Sequence, residues 1–270
     1  MIARILRSLR TQGITHCVLN LHHLPQTIAA VVGDGADLGV RVRYSWEQPR
    51  VLGSAGGPRH ALPLLAGDPL LIVNGDTLTD VPLEALEREH ARSGATVTLA
   101  LVPNAEFLRY GGVCLDDHRH VTGFVRPGPA AEGTYHFVGL QLARRSVFEP
   151  LPDNEPASTI GGAYDRLIAA RVGSVAGCVL SGEFFDVGTV DDYWRMSDAF
   201  VARERREGVI FGRRAVIHPT ARVTRSILWD DVEVGAGAAV NRCILTDGVR
   251  VAPGAIHQNE ILTADGPTNC

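Results

Sequence analysis

A 17-residue repeat near the C-terminus constrains the fold of this chain more than any other feature of its sequence. Residues 223–238 recur as residues 240–255 with the same order of apolar, polar and small side chains. Aliphatic residues also recur at six-residue steps, each followed by a small residue four positions later. This pattern is typical of a β-helix coil, in which each flat side points an aliphatic group inward and a small residue fits the corner. An ordinary β-meander is the alternative interpretation.

The residues before the repeat alternate between short apolar runs and amphipathic stretches. Strands are predicted at 14–20, 40–45, 70–73 and 96–102, and helices at 2–12, 25–32, 57–65 and 82–93, with further strands between 109 and 142 and helices at 144–150, 162–171 and 191–206. Such alternation predicts βαβ units. We therefore expect a Rossmann-like α/β domain over residues 1–206, with a mostly parallel sheet and helices on both faces, and a short β-helix over 207–270.

Composition excludes several classes of function. The formal charge of −4 and the isoelectric point near 6.2 argue against nucleic-acid binding, which usually needs a basic face. No run of 18 apolar residues suggests a membrane span, and the N-terminal residues lack the apolar stretch of a signal peptide. The five cysteines form no C-x-x-C pair, which predicts reduced thiols in a cytoplasmic protein.

Two aspartates follow apolar strand segments. Asp76 comes directly after the predicted strand 70–73, and Asp186 comes after Phe184 and Phe185. In open α/β sheets, ligands bind beyond the carboxyl ends of the strands. Two carboxylates there predict a Mg²⁺ site, since this ion prefers oxygen ligands and substrate phosphates. The alternative is that Asn74-Gly75-Asp76 is a plain turn.

A glycine-rich segment, Leu52-Gly-Ser-Ala-Gly-Gly57, precedes the predicted helix 57–65. Glycines let a backbone approach a ligand closely, and the N-terminus of a helix favours anions. The segment therefore predicts a nucleotide-binding loop. A flexible loop without a ligand is the alternative.

Several motifs, taken in order, carry a family resemblance. They are Val18-Leu-Asn-Leu-His-His-Leu-Pro25, Gly33-Asp-Gly35, Tyr44-Ser-Trp-Glu47, the glycine-rich segment, Val73-Asn-Gly-Asp76, Tyr110-Gly-Gly-Val113, Phe137-Val-Gly139 and Phe185-Asp-Val-Gly-Thr189. This series resembles the sugar-1-phosphate nucleotidyltransferases, in particular proteins like mannose-1-phosphate guanylyltransferase and N-acetylmuramate-1-phosphate uridylyltransferase. The tail resembles the left-handed hexapeptide β-helix that many of these enzymes carry.

The resemblance implies a reaction and its site residues. A sugar 1-phosphate would attack the α-phosphorus of a nucleoside triphosphate and release pyrophosphate, with Mg²⁺ as cofactor. The residues implied near the nucleotide are Glu47, Gly56, Gly57, Asn74 and Gly75. Those implied near the sugar phosphate are Gly111, Arg126, Gly139 and Thr189, and the implied metal ligands are Asp76 and Asp186. The tail would cap the catalytic domain, or contact another copy or a partner subunit.

The chain departs from the family pattern in two places. Enzymes of this family begin with a strand, a G-x-G-x-R loop and a Pro-Lys pair, whereas this sequence opens at the helix that follows them, so no catalytic Arg or Lys of that loop is identified. We therefore expect the reading frame to begin upstream, since the absent strand would leave two inner strands unpaired. Val125-Arg126-Pro127 also replaces the common Glu-Lys-Pro. The alternative function is a non-catalytic regulatory subunit that binds nucleotide sugars.

Overall fold

The computed structural model describes residues 1–204, 209–264 and 266–268. They form two compact units, Met1–Asp186 and Val187–Cys270. The boundary between the units lies between residues 186 and 187 of the chain. The domain border expected between residues 206 and 207 stays a prediction. Within the described ranges, no helix is long and apolar enough to cross a membrane.

The first unit alternates helices with strands over most of its length. Its α-helices are Ile2–Thr11 (α1), Pro25–Val32 (α2), Gly53–Ala61 (α3), Leu83–Ser93 (α4) and Tyr164–Ala170 (α5). Its strands are His16–Leu21 (β1), Arg41–Trp46 (β2), Leu70–Val73 (β3), Thr77–Thr79 (β4), Val97–Pro103 (β5), Gly112–Leu115 (β6), Val121–Val125 (β7), Tyr135–Ala143 (β8), Val175–Val179 (β9) and Phe184–Asp186 (β10). This order confirms the predicted α/β class.

Six strands form the main sheet. Five follow the order β7-β6-β8-β5-β9, and β3 pairs with β8 on the edge opposite β5. Strands β3, β5 and β9 point the same way, because β3 and β5 both pair antiparallel with β8 and β9 pairs parallel with β5. The side chains of β5 from Val97 to Val102 are all buried, as expected of a central strand. Phe148 and Tyr164 are fully buried in the core next to it.

Strands β1 and β2 form a separate two-stranded parallel sheet. Helices α1 and α2 cover it through a cluster that includes Leu6, Val32 and Val42. Strand β1 therefore hydrogen-bonds to another strand on one edge only, and so does β3 within residues 1–186. Residues 17–19 of β1 are only half-buried, although the apolar sequence predicted a buried strand. An edge position accounts for this difference, because no neighbouring strand covers that side.

Two predicted local structures are wrong in detail. The glycine-rich loop expected over residues 52–57 is helical from Gly53 onward, as part of α3. The helix predicted at 144–150 is a single 3₁₀ turn, Arg145–Val147. In α3, tertiary packing overrides the low helix propensity of glycine.

The second unit is a helix followed by a β-helix. Helix α6 is Val190–Glu204. The strands are Val209–Phe211 (β11), Val216–Ile217 (β12), Arg222–Thr224 (β13), Ser226–Leu228 (β14), Glu233–Val234 (β15), Ala239–Asn241 (β16), Ile244–Leu245 (β17), Arg250–Val251 (β18), Ile256–Gln258 (β19), Ile261–Thr263 (β20) and Gly266–Thr268 (β21). Strands β11 to β20 stack in three parallel sheets, and β21 closes one of them antiparallel.

The repeat period sets the register of this β-helix. Val223 pairs with Val240, and Val234 pairs with Val251, each 17 residues further on. Val234, Val240 and Val251 belong to one buried aliphatic cluster and the partly buried Val223 packs against it, which confirms the β-helix and excludes the meander. Trp229 is 39% exposed, and its Nε1 donates a hydrogen bond to the Tyr193 hydroxyl at 3.1 Å.

Candidate functional site

The pairing of β4 with β10 brings the two predicted metal ligands together. Asp186 lies opposite Thr77 in this antiparallel pair, and Asp76 directly precedes Thr77. The Thr77 hydroxyl also points at the Asp76 carboxylate, with 3.4 Å between the oxygens. Asp76 is exposed and Asp186 is half-buried. The two aspartates are 110 positions apart in sequence, and this pairing brings their backbones within one residue of direct opposition beyond the end of β3.

Gly139 fixes the turn that carries Asp76. Its backbone is left-handed, with φ +74°, at a place where the register between β5 and β8 shifts. The Asn74 backbone N–H donates to the Gly139 carbonyl at 2.8 Å, and a Cβ on Gly139 would lie 2.8 Å from the Asn74 Cβ. Only glycine combines that dihedral angle with such a close approach. Gly75, the next residue of the turn, is exposed with nothing near its Cβ position.

Three rings form a cluster, here called the ring stack, near this turn. The His136 ring contacts those of Tyr110 and Phe184, at centroid distances of 4.3 and 4.7 Å, and the latter two rings lie 5.8 Å apart. The Arg109 guanidinium carbon sits 4.7 Å from the Tyr110 ring centroid and extends the stack. Phe184 lies on β10 two residues before Asp186, so the stack is adjacent to a predicted metal ligand.

Burial holds the His136 ring of this stack neutral. It lowers the pKa of His136 to about 4, and nearby Arg109 adds to the effect, while a backbone hydrogen bond with Gly111 and the Glu106 carboxylate oppose it. The Nδ1 atom of His136 is buried and has no hydrogen-bond partner among the described residues. A neutral imidazole can pack against two rings without the cost of burying a charge.

The predicted sugar-phosphate residues of the first unit lie near the same stack. Gly111 immediately precedes β6, and a Cβ there would lie 2.9 Å from the Val125 carbonyl oxygen. Arg126 follows β7, is exposed, and makes no hydrogen bond or ion pair within the described ranges. Its charge is therefore available to an anion.

Thr189 belongs to the second unit, where it caps α6. Its hydroxyl donates to the Asp192 carboxylate at 2.7 Å, and the Asp192 amide donates back to that hydroxyl at 3.2 Å. The Thr189 amide completes the arrangement with a 3.0 Å bond to the same carboxylate. This reciprocal pattern is a capping box. It gives Thr189 a structural role, and its predicted contact with the sugar phosphate stays a prediction.

Glu47 is buried and committed to the protein's own hydrogen bonds. Its Oε1 accepts from the Asn20 amide at 3.0 Å, and its Oε2 accepts from the Leu52 backbone amide at 2.7 Å. Asn20 Nδ2 also donates to the Gly57 carbonyl at 2.9 Å. These bonds tie the ends of β1 and β2 to the start of α3.

The glycines of α3 serve this packing. A Cβ on Gly57 would lie 2.5 Å from Glu47 Oε1, and one on Gly56 would lie 2.5 Å from the Glu155 carbonyl. The amides of Ala55 and Gly56 both donate to the Ala157 carbonyl. The N–H groups of these two residues are therefore used within the protein. The predicted place of Gly56 and Gly57 near a nucleotide stays a prediction.

The metal prediction rests on the donor set. Two carboxylates offer hard oxygen ligands, which suit Mg²⁺, and this ion usually takes its remaining ligands from water and substrate phosphates. Nowhere in the described chain do three or more His, Cys, Asp or Glu side chains form a cluster that could hold a metal by themselves. The site at Asp76 and Asp186 thus fits an ion bound together with its substrate.

Sequence comparison gives the family. The family model "Nucleotidyl transferase" matches residues 1–203, which is most of the chain. The chain belongs to the nucleotidyl transferase family. A second family model, "GlmU-like, C-terminal hexapeptide", matches residues 195–258 and agrees with the left-handed hexapeptide type predicted for the tail.

Curated members of this family include close matches. An N-acetylmuramate alpha-1-phosphate uridylyltransferase from Neisseria meningitidis is 46% identical over 67% of this chain and 77% of its own length. A mannose-1-phosphate guanylyltransferase from Mycobacterium tuberculosis is 26% identical over 88% of this chain and 74% of its own length. The family of this chain is thus one of sugar-1-phosphate nucleotidyltransferases.

Solved structures agree with this fold. HddC from Yersinia pseudotuberculosis, complexed with GMP-PN, superposes with a TM-score of 0.63 at 21% identity and covers 74% of this chain and 84% of its own. The same protein without that ligand gives a TM-score of 0.64. At such identities the likeness shows the fold alone.

Two residues of the site were missed in the sequence. Asn20 ends an apolar strand, and a polar residue at that position is a usable signal for a site beside the sheet. His136 immediately precedes the motif Phe137-Val-Gly139, but that motif carries no signal for aromatic packing, so only the tertiary structure reveals its contacts with two rings.

Proposed function

We propose that this chain forms a nucleoside-diphosphate sugar and pyrophosphate from a nucleoside triphosphate and a sugar 1-phosphate. Family membership supports the reaction class. The observation that carries the proposal for these residues is the pairing of β4 with β10, which puts Asp76 beside Asp186 at the carboxyl end of β3. That end of the sheet is where ligands bind in α/β folds.

The reaction is an in-line substitution at phosphorus. An oxygen of the sugar 1-phosphate attacks the α-phosphorus, a new P–O bond forms, and the bond to the bridging α–β oxygen breaks, so that pyrophosphate leaves with the electron pair. Such a reaction asks the protein mainly for alignment and charge neutralisation. Mg²⁺, held by Asp76 and Asp186, would supply neutralisation of the phosphate charges.

The chain's own residues divide between the two substrates. Arg126 provides an exposed cation for the phosphate of the sugar. Gly111 and Gly139 remove side-chain bulk where backbone and substrate would approach. Glu47, through Asn20 and Leu52, fixes the strand ends and the start of α3 that we place on the nucleotide side.

The names of the relatives suggest two pairs of nucleotide and sugar phosphate as substrates. We propose guanylyl transfer to mannose 1-phosphate or uridylyl transfer to N-acetylmuramate α-1-phosphate, since these activities name the relatives with the broadest cover and the highest identity quoted above. Val125 in place of the usual glutamate removes one acceptor for sugar hydroxyls. The two pairs are separated by assaying each nucleotide with each sugar.

Release of pyrophosphate tests the proposal. The unaltered protein should release pyrophosphate from GTP or UTP in the presence of one of these sugar phosphates and Mg²⁺. Asp76→Asn and Asp186→Asn should each lower the rate by at least about 100-fold, since catalytic charge neutralisation is worth several kcal/mol. Asp117→Asn, an exposed carboxylate between β6 and β7, is the matched control and should be unaffected. Near-normal rates in the two site variants would refute their assigned roles, and binding of both substrates without turnover would support the regulatory alternative.

A further inference from the structure

The strand that carries Asp186 is short. Strand β10 is three residues long, and among the described residues its one strand partner is β4, which is equally short. Isolated two-stranded sheets are marginally stable in water. Contacts before the strand hold its beginning, since the Glu183 amide donates to Asp80 and the Thr79 hydroxyl donates to the Glu183 carbonyl. Asp186 lies at the other end of the strand.

The ring stack contacts the face of β10 on which Asp186 lies. Phe184 and Asp186 are two residues apart in a strand and so point to the same face. The Phe184 ring stacks on His136 with an interplanar angle of 29°, and it also meets the edge of Tyr110 at 5.8 Å. His136 belongs to β8, a nine-residue strand of the main sheet, which is a rigid base for this contact.

The same histidine also reaches the sugar side of the site. Tyr110 immediately precedes Gly111, and its ring contacts both His136, at 4.3 Å, and Phe184, at 5.8 Å. The His136 ring interacts with the Gly111 backbone as well. One side chain of the main sheet therefore connects a short strand bearing a predicted metal ligand with a loop predicted to bind the sugar phosphate.

We propose that His136 is a positioning residue, which holds Asp186 and Gly111 in a fixed relation through its contacts with Phe184 and Tyr110. The inference rests on the proposed function for the roles of Asp186 and Gly111, but the contact itself does not. The flat ring of His136 is the property that these contacts require, so phenylalanine should substitute for this histidine and alanine should not.

Hydrogen exchange tests the contact without any ligand. In His136→Ala, the backbone amides of β10 should exchange about fivefold faster than in the unaltered protein, since an aromatic pair is worth roughly 1 kcal/mol and 1.4 kcal/mol is tenfold. His136→Phe should exchange like the unaltered protein. His120→Ala is the control for general loss of stability, because His120 is half-buried at the opposite end of the sheet, where it pairs with Asp116. Equal exchange in His136→Ala and the unaltered protein would overturn the proposal.

Binding of Mn²⁺, used as a probe for the metal site, separates this proposal from the proposed function. His136→Ala should weaken Mn²⁺ binding by about fivefold, while His136→Phe and His120→Ala bind as the unaltered protein does. Faster exchange of β10 in His136→Ala, in a protein that binds no Mn²⁺, would support the positioning role and refute the metal site. Unchanged Mn²⁺ affinity in His136→Ala, with binding abolished by Asp186→Asn, would uphold the metal site and overturn the positioning role.

Discussion

Replacing His136 by phenylalanine should change how the stability of the protein depends on pH. Burial lowers the pKa of this histidine from 6.5 to about 4 in the folded chain. Between those values the unfolded chain binds the proton and the folded chain does not, so stability falls as the pH falls from about 6.5 to about 4. At 1.36 kcal/mol for each pKa unit the full loss is about 3 kcal/mol, and partial solvent access to the ring reduces this to about 2 kcal/mol.

Phenylalanine keeps the ring stack and removes the titration. Urea unfolding of both proteins near pH 7 should give free energies within about 1 kcal/mol of each other, because the variant loses only the hydrogen bond to the Gly111 backbone. Between pH 7 and pH 4.5, the free energy of unfolding of the unaltered protein should fall by about 2 kcal/mol more than that of His136→Phe. His118→Phe, at an exposed histidine beyond the far end of β6, is the control. Parallel pH profiles for His136→Phe and the unaltered protein would refute a buried, neutral His136.

Two further substitutions test the packing of the site and of the tail. Gly57→Ala should destabilise the protein by about 1–3 kcal/mol in urea unfolding, because its Cβ would lie 2.5 Å from Glu47 Oε1, whereas Gly123→Ala, with open space around it, should stay within about 0.5 kcal/mol. Equal effects at the two glycines would contradict the close packing of α3. Thr189→Ala removes the capping box with Asp192 and should cost about 1 kcal/mol in the same assay, and no measurable loss would show that the cap contributes nothing.

The tail could be predicted well because its sequence repeats its own geometry. Each coil places equivalent residues 17 positions apart, so the aliphatic positions such as Val223 and Val240 specify both the register and the interior. A periodic pattern of this kind needs no long-range information, since every coil packs on the next.

The site was predictable in part. Asp76 and Asp186 follow apolar segments, and the chemistry of carboxylates at strand ends predicted a shared ion before their adjacency was known. What brings them together is the pairing of β4 with β10, and three-residue strands have no pattern long enough to be recognised.

The glycines of α3 show why a local signal can mislead. A run of glycines favours a loop when read locally, whereas here the same residues are helical. Glu47 and the Glu155 carbonyl occupy the space where side chains would be, which explains why this helix contains glycines. His136 illustrates the converse, because a residue without a local signal acquires its place from two rings that are far away in sequence.

Crystals of the protein grown with Mn²⁺ and the nucleoside triphosphate test whether Asp76 and Asp186 hold one ion. We expect one anomalous-scattering peak that touches both the Asp76 and the Asp186 carboxylates, with phosphate oxygens completing the coordination, as expected for an ion shared with its substrate. The same experiment with Asp186→Asn should lose the peak. Bound nucleotide with no ion at these two carboxylates, or an ion held by other side chains, would contradict the assignment of this site.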